Sequence, residues 1–356
     1  MALSEPVAGA QRLHAGHGFH PLRVADVVRE TAEASSFVLD VPAGLRHAFA
    51  YDAGQFCTFR VWVGGRPHMR CYSMSSSPAV DAGFRVTVKR TPDGVVSNWM
   101  NDHVAPGDVL DVARPTGLFR LGAGRGEVVL FSAGSGITPV LSLLKSALAT
   151  TSRRVRLLSA DRDLDAVIFR SELEALAKQY DGRLTLTHHL DTEHGLVGTD
   201  AIRAFTDGAE DPECFVCGPG PFMDIVEGTL LADGVGAGRI HIERFTPEAW
   251  VPEPEPVDDS AGTTRVTVEL DGRTESTDHR PGTTILQTAR QLGMSPPYSC
   301  ESGSCATCMA RLLEGTASMH VNNALTDDEV SDGWVLTCQA LPTSPIVRVA
   351  YGYEEG

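Results

Sequence analysis

The chain has 356 residues, 42% of them hydrophobic, and a formal net charge of −16. That length suggests two or three domains with cores of their own. The acidic balance argues against nucleic acid as a partner, and no apolar run approaches the ~20 residues a membrane span needs.

Residues 1–19 contain no basic segment followed by an apolar one, so they read as a disordered tail rather than a secretory signal. Residues 20–123 read as antiparallel β. The stretches 21–31, 35–41, 54–63, 84–90 and 108–115 are short, rich in Val, Phe and Thr, and separated by Gly, Pro and Asp. Such spacing suggests a barrel or sandwich.

Arg70-Cys71-Tyr72-Ser73 is read as the end of a further barrel strand. A flavin needs a flat ring to stack on, a hydroxyl near its redox-active nitrogen and a cation for its phosphate. Tyr72, Ser73 and Arg70 offer all three. Strand alternation puts Arg70 and Tyr72 on one face and Ser73 on the other. Downstream, Gly94-Val95-Val96-Ser97-Asn98 is a glycine turn entering a helix, which presents backbone N–H groups to a pyrophosphate. Taken alone, an Arg and a Tyr two apart also describe an ordinary cross-strand pair.

Residues 124–246 alternate strand and helix. Strands are expected at 127–133, 155–160, 184–190 and 214–218, with helices at 138–149, 168–180, 200–205 and 222–234. The first helix carries Val140, Leu143, Leu144, Ala147 and Leu148 at helical spacing. This order predicts an α/β parallel sheet covered on both faces. Ala133-Gly134-Ser135-Gly136-Ile137-Thr138-Pro139 joins the first strand to the first helix, so its glycines allow close approach of a pyrophosphate. Pro139 stands where a full dinucleotide fingerprint has its third glycine. Asp161 and Asp163 follow the second strand, where an acidic side chain accepts from an adenosine 2′-hydroxyl and repels a 2′-phosphate. They favour NADH, while Arg162 and Arg170 keep NADPH open as the alternative. Cys214 and Cys217 form a C-x-x-C, but on a strand rather than at a helix N-terminus, which disfavours a redox dithiol. His188, His189 and His194 read as a solvated loop next to Asp191 and Glu193, because adjacent strand residues face opposite ways.

Residues 247–262, rich in Pro, Glu and Asp, read as an extended linker. The remainder, 263–356, opens with a β-hairpin around Asp271-Gly272 and a short helix at 283–293. Then come Cys300, Cys305 and Cys308, with Cys338 further on. C-x4-C-x2-C…C is the plant-type spacing for a [2Fe-2S] cluster. Small residues between the cysteines let backbone N–H groups approach the sulfur atoms. A structural zinc site with four cysteines is the alternative, although zinc ribbons pair two short C-x-x-C knuckles. Iron–thiolate ligation and four further scattered cysteines suggest a reducing, cytoplasmic compartment.

Residues 20–245 resemble the ferredoxin–NADP reductase superfamily, on R-C-Y-S, on the glycine turn at Gly94 and Ser97, on AGSGITP and on CGPGPF. The resemblance implies a flavin β-barrel, then a nicotinamide α/β domain, here followed by an α+β β-grasp ferredoxin domain. It carries Arg70, Cys71, Tyr72 and Ser73 over to the flavin, and Gly94, Ser97 and Asn98, with Val88, Lys89 and Val96 around them, to its pyrophosphate. The second motif resembles the FAD branch rather than the FMN branch. Gly134, Gly136, Thr138, Pro139, Cys217, Gly218 and Pro219 are carried over to the nicotinamide nucleotide, with Cys217 beside its reactive carbon. Glu243 and Phe245 resemble the residues at the flavin edge. The implied activity passes electrons from NAD(P)H through FAD and [2Fe-2S] to a separate terminal oxygenase of Rieske type, from a monomeric, non-membrane protein.

Ferredoxin-last order resembles the reductase components of multicomponent oxygenases, especially the reductases of 3-ketosteroid 9α-hydroxylase systems. Phenylacetyl-CoA epoxidase reductases share the architecture. Two other readings stay open: a nucleotide- and metal-binding sensor without turnover, and a free-standing reductase of small electron carriers.

Overall fold

The structure, a computed structural model, describes residues 19–245, 264–298 and 300–352. Nearly all of the expected tail, and all of the expected linker at 247–262, lie outside the described residues.

Six strands form the first unit: β1 (His20–Thr31), β2 (Ala34–Asp40), β3 (Phe56–Val63), β4 (Arg66–Ser73), β5 (Phe84–Lys89) and β6 (Val109–Val112). Their order is β4-β3-β6-β1-β2-β5, and a bridge from Met74 to Val86 brings the outermost strands together into a barrel. Alternation places Leu22, Val24, Phe37, Leu39, Phe59 and Val61 inside. Gly64 and Gly65, both at positive φ, supply the tight turn that pairs β3 with β4. Helix α1 (Val95–His103) packs Val96 and Met100 into the same core.

The second unit is a parallel sheet of β7 (Val128–Ala133), β8 (Val155–Asp161), β9 (Leu184–Leu190), β10 (Glu213–Cys217) and β11 (Ile240–Glu243), ordered β11-β10-β7-β8-β9. Its connections contain α2 (Ile137–Thr150), α3 (Arg170–Gln179), α4 (Asp191–His194), α5 (Thr199–Thr206) and α6 (Gly220–Ala232). Strand order reverses between β7 and β10, which opens a crevice at their C-terminal ends.

Helix α2 departs from the one-faced pattern of its sequence. Every residue from Ile137 to Leu148 is buried. The sheet covers one side and the barrel covers the other. Ser142 donates to the Ser76 carbonyl at 2.6 Å, and Ser146 meets Ser77 at 2.7 Å. Lys145 lies between Asp81 and Glu172, at 2.6 Å from each. The polar residues of this helix are therefore hydrogen-bonded interface groups, as buried polar atoms must be.

The third unit is a mixed sheet ordered β13-β12-β18-β14-β16, built from β12 (Thr264–Leu270), β13 (Arg273–His279), β14 (Met309–Glu314), β16 (Trp334–Leu336) and β18 (Ile346–Ala350). A small ribbon joins β15 (Ala317–Met319) to β17 (Ala340–Pro342). The β12–β13 hairpin turns at Asp271 and Gly272, both at positive φ. Helix α7 (Ile285–Gln291) starts at a Thr284/Gln287 capping box, a motif worth about 1 kcal/mol. Helix α8 (Asp327–Ser331) begins the same way, at Thr326 and Glu329. No described helix is long and apolar enough to cross a membrane.

Candidate functional site

The three units meet at one cleft of about 610 Å³. Strand β4 contributes Met69, Arg70, Cys71 and Ser73; the segment ending the parallel sheet contributes Glu243, Arg244 and Phe245; the iron loop contributes Tyr298, Cys300 and Ser302.

Ser73 is buried, and its hydroxyl has no hydrogen-bond partner among the described residues. A buried hydroxyl without a partner is costly, so this one is suited to a polar ligand atom. Phe245 is 39% exposed in the same cleft, which leaves ring surface free for a flat ligand. Arg70 Nη1 donates to the Met69 carbonyl at 2.7 Å. Together these groups fit an isoalloxazine ring and its polar edge. Tyr72 does not line the cleft. It is partly buried and packs against the barrel core with its ring edge-on to Phe59, and desolvation pushes its hydroxyl pKa up.

Gly94 leads into α1. A Cβ there would lie 2.6 Å from Ser97 Oγ and 2.9 Å from Thr91 Cβ, so the turn requires glycine. Ser97 accepts the Thr91 N–H at 3.1 Å, and Asn98 Nδ2 donates to the Thr91 carbonyl at 3.2 Å. Both side chains therefore brace the loop, and its backbone N–H groups remain the natural phosphate donors. The Val88 and Val96 side chains are buried in the barrel core, which leaves their backbone to face a cofactor. Lys89 reaches away from the barrel to the other unit. Its ammonium lies 3.4 Å from where a Gly134 Cβ would stand.

At the crevice of the parallel sheet, Gly134 adopts φ +52°. Gly136 packs so closely that a Cβ would lie 2.0 Å from the Cys217 carbonyl oxygen. The two loops of the nicotinamide signature are thus in backbone contact at the point where strand order reverses. Thr138 Oγ1 donates to the Ser135 carbonyl at 3.0 Å, and Thr138 and Pro139 are buried in the first turn of α2. Pro219 immediately precedes α6, and Gly218 packs against Phe222 and Ala133. This is the cradle that a dinucleotide pyrophosphate requires.

Cys217 is fully buried and paired in register with Glu243 on the neighbouring strand. It lies behind the cleft wall, with Glu243 as the lining residue. Burial pushes the Glu243 carboxyl pKa up to about 8, reinforced by nearby Cys300. Cys214 is a core residue.

The ribose candidates behave unequally. Asp161 is buried and accepts from Ser159 Oγ at 2.9 Å. Desolvation raises its pKa to about 7, against the opposing effects of the Ser159 hydrogen bond and of Lys89. Arg162 is exposed and paired with Asp163 at 2.8 Å. Asp163 also caps the turn at Leu164–Ala166. The histidine reading is corrected in part: His189 is buried and bonded to the Gly195 carbonyl at 2.9 Å rather than solvated.

In the iron loop, Glu301, Gly303 and Ala306 adopt positive φ. These turns aim backbone N–H groups inward, and those of Ser302 and Ser304 donate to Cys300 Sγ, each at 3.4 Å. Arg290 stacks on Tyr298 at 3.7 Å and pairs with Glu301 at 2.8 Å, bracing the loop on both sides of Cys300. Cys300 neighbours Cys305, and Cys308 neighbours Cys338. With backbone N–H groups already aimed at Cys300, this set of four thiols would hold a [2Fe-2S] cluster.

Several cleft residues carried no motif in the sequence. Met69, Arg244, Tyr298 and Ser302 line it. Thr116 Oγ1 donates to the Ser304 carbonyl at 2.7 Å, linking barrel to iron loop. An aromatic residue just before the first cysteine was the one available hint.

The fold and site together define a three-part oxidoreductase that binds flavin, nicotinamide nucleotide and a [2Fe-2S] cluster. Residues 21–121 match an oxidoreductase FAD-binding domain, 130–228 an oxidoreductase NAD-binding domain and 268–343 a 2Fe-2S iron–sulfur cluster binding domain. The ferredoxin reductase component of 3-ketosteroid-9-alpha-monooxygenase from Rhodococcus rhodochrous is 40% identical, covering 93% of this chain and 96% of that protein. A component of 1,2-phenylacetyl-CoA epoxidase from Escherichia coli is 33% identical, covering 92% and 97%. The structure of phthalate dioxygenase reductase, described as a modular structure for electron transfer from pyridine nucleotides to [2Fe-2S], superposes with TM-score 0.59 at 25% identity, over 94% of this chain and 98% of that one. This chain belongs to the family of flavin and iron–sulfur reductases that these relatives represent.

Proposed function

We propose that this reductase takes electrons from NADH and delivers them singly to a separate Rieske-type oxygenase acting on a 3-ketosteroid. Bound FAD supplies the conversion between two-electron and one-electron chemistry, and the bound cluster carries single electrons. The observation that carries the reading is the cleft where β4, Glu243–Phe245 and the iron loop converge. A flavin held there by Arg70, Ser73 and the N–H groups after Gly94 would touch both the nicotinamide side and the iron loop.

In this reading, Gly134, Gly136 and the start of α2 hold the nicotinamide dinucleotide, with Lys89 offering its charge to the pyrophosphate. Phe245 would cover one face of the flavin ring at the cleft. Glu243, nearly neutral at pH 7, is placed to hold a proton beside the ring. Cys217 backs this wall and sets its shape. Cys300, Cys305, Cys308 and Cys338 ligate the cluster. A monomer in the cytoplasm completes the reading, and eight cysteines outside any disulfide accord with a reducing compartment.

The steroid assignment rests on the 40% relative. Its test is reconstitution with purified 3-ketosteroid 9α-oxygenase and with phenylacetyl-CoA epoxidase components, at equal NADH and equal reductase. NADH-driven steroid hydroxylation above epoxidation supports it. Coupling only to epoxidation would replace the steroid partner with the thioester one.

Asp161 gives a pH prediction. A carboxylate accepts both ribose hydroxyls, whereas a carboxylic acid must donate one of its bonds. With a pKa of about 7 in the fold, NADH binding should tighten as pH rises from 6 to 8. Asp161→Asn should flatten this dependence and narrow the NADH-over-NADPH preference by about tenfold, the loss of roughly one charge-assisted hydrogen bond. KM for both nucleotides across that range checks it, and an unchanged ratio removes Asp161 from the ribose site. The same raised pKa means the native state holds more protons than the unfolded one between the ordinary carboxylate range and pH 7. This group's contribution to stability therefore falls as pH rises through that window.

A further inference from the structure

The iron loop must satisfy its carbonyl groups as well as present its cysteines. The Glu301 carbonyl accepts from Gln339 Nε2 at 2.7 Å, and the Gly303 carbonyl accepts from the Asn323 N–H at 2.9 Å. Both donors belong to the iron-binding unit. The Ser304 carbonyl, in the peptide that enters Cys305, accepts instead from Thr116 Oγ1 of the barrel at 2.7 Å. Ser304 is buried, and its own N–H donates to Cys300 Sγ. One loop residue thus bonds a cluster cysteine through its N–H and the flavin-binding unit through its carbonyl.

Thr116 is itself held in place. It exchanges two backbone hydrogen bonds with Phe56, each at 2.9 Å. Phe56 stands opposite Ser73 in the β3–β4 ladder. Gln55 Nε2 donates to the Gly117 carbonyl at 3.2 Å, and Gly117, at φ +120°, packs against the Phe56 ring. The turn that carries Thr116 therefore has little freedom. Around the Thr116–Ser304 contact, by contrast, packing is open. The cleft and a second cavity of about 720 Å³ both adjoin it: Phe56 and Ser302 line each of them, and Gly117 and Ser304 line the second. Close packing does not fix the loop here, so a directional bond has to.

We propose that Thr116 is a positioning residue of flavin-to-cluster electron transfer: its hydroxyl carries the fixed geometry of the flavin strand across to the Ser304 carbonyl and sets how closely the iron loop approaches the flavin site. The step served moves one electron from reduced flavin to oxidised cluster. The donor is oxidised by one electron, the acceptor is reduced by one, and NADH is the source. Its rate falls steeply as the two groups separate. Without the Thr116 hydroxyl, the carbonyl of buried Ser304 loses its partner, and the loop must shift toward water to regain one. Hydride uptake takes place at the nicotinamide side of the cleft and does not use this contact.

The proposal rests on the reading above, with flavin at Ser73 and the cluster on the four cysteines. The experiment is anaerobic stopped-flow reduction of the full-length holoprotein by NADH, with the flavin band and rapid-freeze EPR of the cluster read in parallel. Thr116→Val keeps the shape and removes the donor. It should leave flavin reduction within about twofold and slow the appearance of the cluster signal about tenfold, the factor carried by one unpaired buried carbonyl. Thr116→Ser, which keeps an O–H, should restore native cluster reduction. An unchanged cluster phase in Thr116→Val overturns the proposal. So does equal slowing in the Val and Ser variants, which would mark a packing effect. Hydrogen–deuterium exchange of peptides spanning residues 300–308 reads the docking without turnover. It should quicken about tenfold in Thr116→Val and stay native in Thr116→Ser. Unchanged exchange in Thr116→Val overturns the proposal as well. A native protein whose flavin bleaches with NADH but whose cluster signal never appears would fail the functional reading itself, and this proposal with it.

Discussion

Gly136→Ala should slow reduction by NADH on the order of 100-fold while leaving a yellow, flavin-containing protein. The reason is backbone geometry. A Cβ at this position would lie 2.0 Å from the Cys217 carbonyl oxygen, 2.4 Å from its carbon and 2.7 Å from Gly218 N. All three are main-chain atoms, so no side chain can swing aside. The loop after β7 and the loop after β10 must separate, and these are the two loops that embrace the nicotinamide nucleotide. A displacement of about 1 Å at such a site can cost on the order of 100-fold in rate, and the overpacking costs about 1–3 kcal/mol in stability. Stopped-flow reduction by NADH, monitored at the flavin band, reads the rate. Gly44→Ala is the control, because nothing lies within 4 Å of its Cβ position. Unaltered reduction of Gly136→Ala would mean that these loops do not hold the nucleotide.

Cys305→Ser should lose the rhombic EPR signal of a reduced [2Fe-2S] cluster and the transfer of electrons to oxygenase. NADH-to-ferricyanide activity through the flavin should survive within about twofold, since its transition-state contacts are untouched. The separate cores justify this expectation. The apolar clusters of the iron-binding unit draw only on residues from Val266 to Tyr351, whereas those of the barrel and parallel sheet stop at Ile242. Losing the cluster should therefore loosen one unit without unfolding the others. Retention of the signal would take Cys305 out of the ligand set. Loss of ferricyanide reduction as well would show that the flavin site depends on a docked, cluster-loaded partner.

Much of this site was legible in the chain because its chemistry is local. The C-x4-C-x2-C run, the R-C-Y-S strand end and the A-G-S-G-I-T-P turn each lie within a few residues, and backbone geometry sets what such spacing can do. Asp271-Gly272 reads as a turn for the same reason, since left-handed backbone is cheap only for a few residue types. Which side of an element is covered was not legible in the same way. The Val88 and Val96 side chains belong to the barrel core, and α2 is buried all round because barrel and sheet enclose it. Spacing likewise could not show that Asp161 is buried and accepts from Ser159.

The strand and helix periods, the glycine turns and the four cysteines follow from the order of residues alone, because each is a property of near neighbours and their allowed dihedrals. Three-dimensional packing was needed to show that Ser73, Glu243, Phe245 and Cys300 share one cleft, that Lys89 reaches Gly134, and that Thr116 meets Ser304. Those contacts join residues far apart along the chain. Burial and packing of whole domains select them, and no short-range spacing encodes that choice.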